Sequence, residues 1–156
     1  GVDRDNFSPH SSQPMSFPLR SPHHQTGGIV ILARVIDKIR LRAEGRLPAG
    51  WHVGVIEGKR TFDDRVCRFL GVEFNALEQR VLAGGSDDEL LAWCFQHGRQ
   101  PDAEQIEVWN AFMTKRGWRD AASAGLAQQK AEAGLAHRDD LQTFFDVMDV
   151  EEGRKP

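Results

Sequence analysis

Glycine interrupts the apolar periodicity of this chain again and again. Gly45, Gly71, Gly84-Gly85, Gly98, Gly117 and Gly134 each follow a stretch in which apolar residues recur every three or four positions. That recurrence lines one face of an α-helix, and glycine readily adopts the left-handed conformation that ends one. The spacing predicts helices over Gly28–Glu44, from Thr61 to Leu70, over Phe74–Leu82, from Ser86 to Gly98, and over Ala103–Arg116, Asp120–Ala133 and Asp139–Val150.

Start signals agree with several of these boundaries. Ser86-Asp-Asp-Glu89 has the form of a capping box, in which a serine and a glutamate satisfy each other's backbone donors. Thr61 precedes Asp63 and Asp64, which suit the positive end of a helix dipole, and Asp102 stands where a cap belongs. Trp51, Val53 and Val55 alternate, but Gly54 and Gly58 reduce that stretch to an extended connector.

The expected fold class is all-α, a single-domain bundle or orthogonal array of six to seven helices over residues 27–152, with a short tail at 153–156. Residues 1–26 read as an irregular arm, because Pro9, Pro14, Pro18 and Pro22 place four of the seven prolines there. Gly1 is not a translation start and Met15 offers an internal one, so residues 1–14 are expected to be extraneous or mobile.

Bulk properties exclude several classes. A net charge of −3 counts against a phosphate-backbone binder, and no apolar run is long enough for a membrane span. Phe62 to Val81 has a helix-turn-helix outline, but its second helix would carry Glu73 and Glu78 toward DNA. No nucleic acid and no membrane are therefore expected as partners. Cys67 and Cys94 form no Cys-x-x-Cys pair and read as reduced, buried thiols of a cytoplasmic protein. No His-Glu-x-x-His or paired Cys/His spacing occurs, so neither a metal nor another cofactor is expected. Trp51, Trp93 and Trp118 read as core or arm-anchoring residues.

Three polar groups remain as candidates. Arg20, His23, Gly27 and Gly28 lead into the first predicted helix, whose N-terminal amides suit an anion. Arg34, Asp37 and Lys38 share the face opposite Leu32, Val35, Ile36 and Ile39, either as an ordinary solvated face or as a ligand site. Asp146, Asp149 and Glu152 recur at three-residue spacing near the C-terminus. Residues 29–46 carry five basic and two acidic groups, whereas residues 138–156 carry three basic and six acidic. Attraction between the two segments is the simplest account of that polarity. Asn110, beside Trp109, sits at the edge of an apolar face, where bonding to a neighbouring backbone is favoured over projection into a pocket.

Leu19-Arg-Ser-Pro22, Gly27-Gly28, Ala33-Arg-Val-Ile-Asp-Lys38, Ser86-Asp-Asp-Glu89, Trp109-Asn110 and Phe145-Asp-Val-Met-Asp149 together resemble a bacterial family of small helical domains of unknown function. The pieces span roughly residues 17–152 in order. The resemblance implies a stand-alone bacterial domain and carries over no catalytic residue.

The functional expectation is a non-enzymatic binding module for a small anion or a protein partner, and the arm is compatible with a homodimer. The alternative is a small-molecule enzyme using Arg34, Asp37, Asn110, Asp146 and Asp149 from the first, fifth and last helices. DNA binding is the third reading.

Overall fold

The computed structural model describes residues 16–156. Pro9, His10, Pro14 and Met15, and with them the expectation for residues 1–14, lie outside the described residues. The described chain is mostly helical. Its seven helices are α1 (Leu32–Ala43), α2 (Phe62–Leu70), α3 (Phe74–Leu82), α4 (Asp87–His97), α5 (Ala103–Lys115), α6 (Ser123–Glu132) and α7 (Phe144–Glu151).

The expected caps form. Thr61 accepts from the Asp64 amide, and Ser86 with Glu89 closes a reciprocal box. Asp102 does the same with Gln105, a partner that the sequence reading did not assign. Gly71 ends α2 at φ 72°, in the left-handed region. Trp51–Glu57 is irregular, as an extended connector would be.

The first helix departs from expectation. Gly27 (φ 58°) and Gly28 (φ 82°) form the turn of a two-residue hairpin, with β1 (Gln25–Thr26) antiparallel to β2 (Ile29–Val30). Positive φ at both central residues is the geometry of a tight type I′ hairpin turn, which non-glycine residues adopt at a cost. Space reinforces conformation, because a Cβ on Gly27 would collide with Leu91 Cδ2. The helix therefore opens at Leu32. Thr26 does not cap it, and Ile31 holds the cap position at φ 83°, an unusual angle for a β-branched residue.

Two C-terminal boundaries also shift. Asp120 staples a loop by accepting from the Gly117 and Ala122 amides, so α6 begins only at Ser123. Thr143 caps α7, which starts at Phe144 rather than Asp139.

Helix α1 occupies the centre. Ile29, Leu32, Val35, Ile36 and Ile39 join Val66, Leu70, Leu77, Leu90, Met113 and Phe145 in one buried core. A smaller cluster of Leu126, Leu141 and Val147 ties α6 and the 135–142 turns to α7. The opposite face of α1 is not solvated either. Arg34 is 5% exposed, because segment 16–24 and the end of α7 cover it. Trp118 lies on the surface, 41% exposed, and is not a core residue.

Candidate functional site

The sequence candidates fall into a charged lock and several separate positions. Arg20 is the hub of the lock. Its backbone amide and Nε donate to Asp37 Oδ2 at 2.8 and 3.1 Å, and Nη2 reaches Asp37 Oδ1 at 3.0 Å. Asp87, at the start of α4, takes the other edge of the same guanidinium. Burial works against the charge on Arg20, but Asp87 and Asp37 overrule it and hold the arginine protonated beyond its ordinary range. Arg20 likewise holds Asp87 below the usual carboxylate range.

Arg34 lies beneath this hub. Its Nη1 and Nη2 donate to the two Glu152 oxygens at 2.8 Å each, a bidentate pair, and Nη1 also donates to the Arg20 carbonyl at 2.9 Å. Trp51 Nε1 donates to Glu152 Oε2 at 2.9 Å, and Arg154 donates to Glu152, to Asp149 and to the Leu19 carbonyl. Burial alone would raise the Glu152 carboxyl, yet Arg34, Trp51 and Arg154 together keep it below its ordinary value. Asp149 also accepts from Ser21 Oγ at 3.3 Å, with His23 Nε2 3.9 Å away.

Arg20, Arg34, Asp37 and Asp149 thus converge, and the basic first helix meets the acidic C-terminal segment through Arg34–Glu152. The remaining candidates do not join them. Lys38 pairs with Asp63 at 2.8 Å, and Asp63 also accepts from the Gly54 amide. Asp146 accepts from the Gln142 amide at 2.9 Å. Asn110 accepts from the Val30 amide at 3.2 Å and donates to the Gly28 carbonyl at 2.7 Å, while Trp109 Nε1 donates to the Val30 carbonyl. Both ends of the Asn110 amide are therefore used in holding the hairpin. Gly27 and Gly28 offer no helix N-terminus to an anion.

Chemically, the lock has little to give. A general acid or base must exchange a proton with a substrate, and each carboxylate here already faces an arginine or a backbone donor. Among the described residues no group of three His, Cys, Asp or Glu is placed to hold a metal ion. The two cysteines are free and buried, and burial pushes Cys67 up to about 12 and Cys94 up to about 11, away from thiolate chemistry.

A second region has the opposite character. Helices α2 and α5 flank an open groove of about 630 Å³, lined by Arg65, Phe69, Val108, Trp109 and Phe112, with Asp102, Glu104 and Gln105 at the start of α5. Phe69 stacks on Trp109 with ring centroids 4.7 Å apart and planes 9° from parallel. Arg99 fixes the end of α2 there, donating to the Phe69 carbonyl at 2.8 Å and to the Arg68 carbonyl at 2.7 Å. Val108 is 61% exposed.

Arg65 stands over Phe112, 5.2 Å from its centroid, and Arg116 stands 5.0 Å from the same ring. Arg116 has Asp120 at 3.5 Å, and Arg60 has Asp64 at 3.2 Å. Arg65 has no carboxylate partner among the described residues, and its buried Nε has no hydrogen-bond acceptor. Burial and the nearby Arg116 and Arg60 charges lower its proton affinity.

In sequence Trp109 belongs to an apolar helical face, and no spacing rule marks this groove. One signal was present. Arg65 lies three residues after Phe62 and four before Phe69, so a cation interrupts an apolar stripe.

The comparison with known families matches residues 16–154 to a domain of unknown function, DUF5069. The chain belongs to this family. The matched span runs from the residue before Phe17, whose ring packs 5.0 Å from Trp51, to Arg154, which closes the lock on Leu19. No curated protein matches the chain. DUF5069 membership thus covers the lock and the groove alike, and brings no activity with it.

Proposed function

We propose that this DUF5069 protein is a non-enzymatic binding module for a small anionic ligand, and that the ligand occupies the α2–α5 groove. The observation that carries this reading is Arg65, a partly buried cation that makes no ion pair among the described residues, at the edge of an apolar groove. An unpaired charge in such a setting is costly unless something compensates it, and a bound anion is the natural compensation. A groove of about 630 Å³ is sized for a small molecule rather than for a protein surface.

The enzyme reading is less favoured, because the groups it needs are consumed in internal pairs: Arg34 by Glu152, Asp37 by Arg20 and Asn110 by the hairpin. The reading includes a bacterial setting, and a cytoplasmic one with which two unbridged cysteines agree. No helix among the described residues is long and apolar enough to cross a membrane.

The test is amide NMR of the full chain titrated with benzoate and with hexanoate. The expected shifts cluster on residues 65–69 and 105–112. Shifts confined to residues 20–34 and 146–154, or no shifts with either compound, would count against the groove as the site.

A further inference from the structure

The groove's charges are distributed unevenly, and the distribution limits what it accepts. Phe112, with Arg65 of α2 over its ring, lies toward the C-terminal part of the α5 wall, while Asp102 and Glu104 lie at the N-terminal end of α5. Gln105 and Phe112 are seven positions apart, about 10 Å of helix. Between them, Val108 and the Phe69–Trp109 stack supply an apolar wall with no charge of its own.

Among the described residues, Arg65 is the one cation lining the groove, and no carboxylate forms an ion pair with it. Arg116 already faces Asp120, and Arg60 already faces Asp64. A second negative charge on the ligand would therefore meet no free cation, and would approach Asp102 and Glu104. The guanidinium of Arg65 is a planar fork matched to a carboxylate. Aromatic residues on the wall favour a flat aromatic body through offset or edge contacts.

We infer that the ligand of this groove is a monoanionic aromatic carboxylate, with its acid group on Arg65 and its ring system along Phe69, Val108 and Phe112. This inference rests on the binding reading above and narrows it. It excludes nucleotides and other polyphosphates, whose charge the groove does not match.

Fluorescence and calorimetric titrations of the full chain with 2-naphthoate, 2-naphthol and inorganic phosphate test it. The expected order is 2-naphthoate tighter than 2-naphthol by about tenfold or more, a difference of about 1.4 kcal/mol, with no measurable phosphate binding. Arg65→Met should bring the two naphthalene compounds to similar affinity. Val108→Glu, at an exposed position that the fold does not depend on, should weaken 2-naphthoate more than 2-naphthol.

Equal affinity for the acid and the alcohol in the natural chain would overturn the carboxylate assignment. Phosphate binding abolished by Arg65→Met would overturn the aromatic assignment while leaving an anion site in the groove. If none of the three compounds bound, both the ligand class and the binding reading would fall together.

Discussion

Arg34 and Arg65 are both drawn at least partly out of solvent, and the chain treats them in opposite ways. Arg34, on α1, is enclosed by a bidentate carboxylate and a backbone carbonyl. Arg65, on α2, has the Phe112 ring and two other arginines for neighbours, feels Asp64 only at a distance, and makes no ion pair among the described residues. A buried guanidinium with a complete set of acceptors holds two segments together. One without them is a cost to the free protein that a ligand can remove. In the proposed reading the first is a structural charge and the second a binding one.

The largest effect should come from breaking the lock. Glu152→Ala leaves Arg34 buried and unpaired, with an expected loss of about 3–5 kcal/mol in urea denaturation. The double variant Arg34→Met, Glu152→Leu should lose much less, because it removes both charges together. If the double variant is as unstable as the single one, packing rather than charge compensation is what the pair supplies.

Asp37→Ala takes away the acceptor of the Arg20 amide, Nε and Nη2, and should cost about 2 kcal/mol, read by the same denaturation. Asp87 still faces Arg20, which keeps the loss below that for Glu152.

The lock should also be sensitive to acid. Glu152 is held below its ordinary 4.5, so the unfolded chain binds its proton more tightly than the folded chain does. Its contribution is complete above 4.5 and is lost as pH falls through the lower folded-state value. Stability measured from about pH 6 down to about pH 3 should fall, and Glu152→Gln should flatten that slope.

Arg65→Met should have the smallest effect on the free protein, within about 0.5 kcal/mol and toward greater stability. It removes an unpartnered buried N–H and the repulsion from Arg116 and Arg60. A loss comparable to that of the lock variants would erase the contrast between the two arginines.

Much of the helical frame was legible because its signals are local. Ser86 and Glu89 lie three residues apart, and the glycine at Gly71 immediately follows the helix it ends. The hairpin was missed because two residues per strand are too few to show a period, and its stability comes from Asn110 and Trp109, about eighty positions away. The Arg34 face looked solvated for the same reason: its covering partner is 118 residues distant. Charge polarity between the two chain segments hinted at their meeting, but no spacing rule singles out Glu152 from Asp146 or Asp149. The groove needed two helices placed side by side before an unpaired Arg65 had any meaning.

The 118-residue separation of Arg34 and Glu152 also sets an order in time. A ribosome adds residues vectorially, so α1 emerges long before its counter-charge does. Until residue 152 has left the exit tunnel, the central helix carries a guanidinium that it cannot bury without its carboxylate. The core around Val35 and Ile36 can gather earlier, but the face bearing Arg34 must stay wet. Completion of this fold therefore waits for α7, whose arrival lets Arg34 be buried against Glu152.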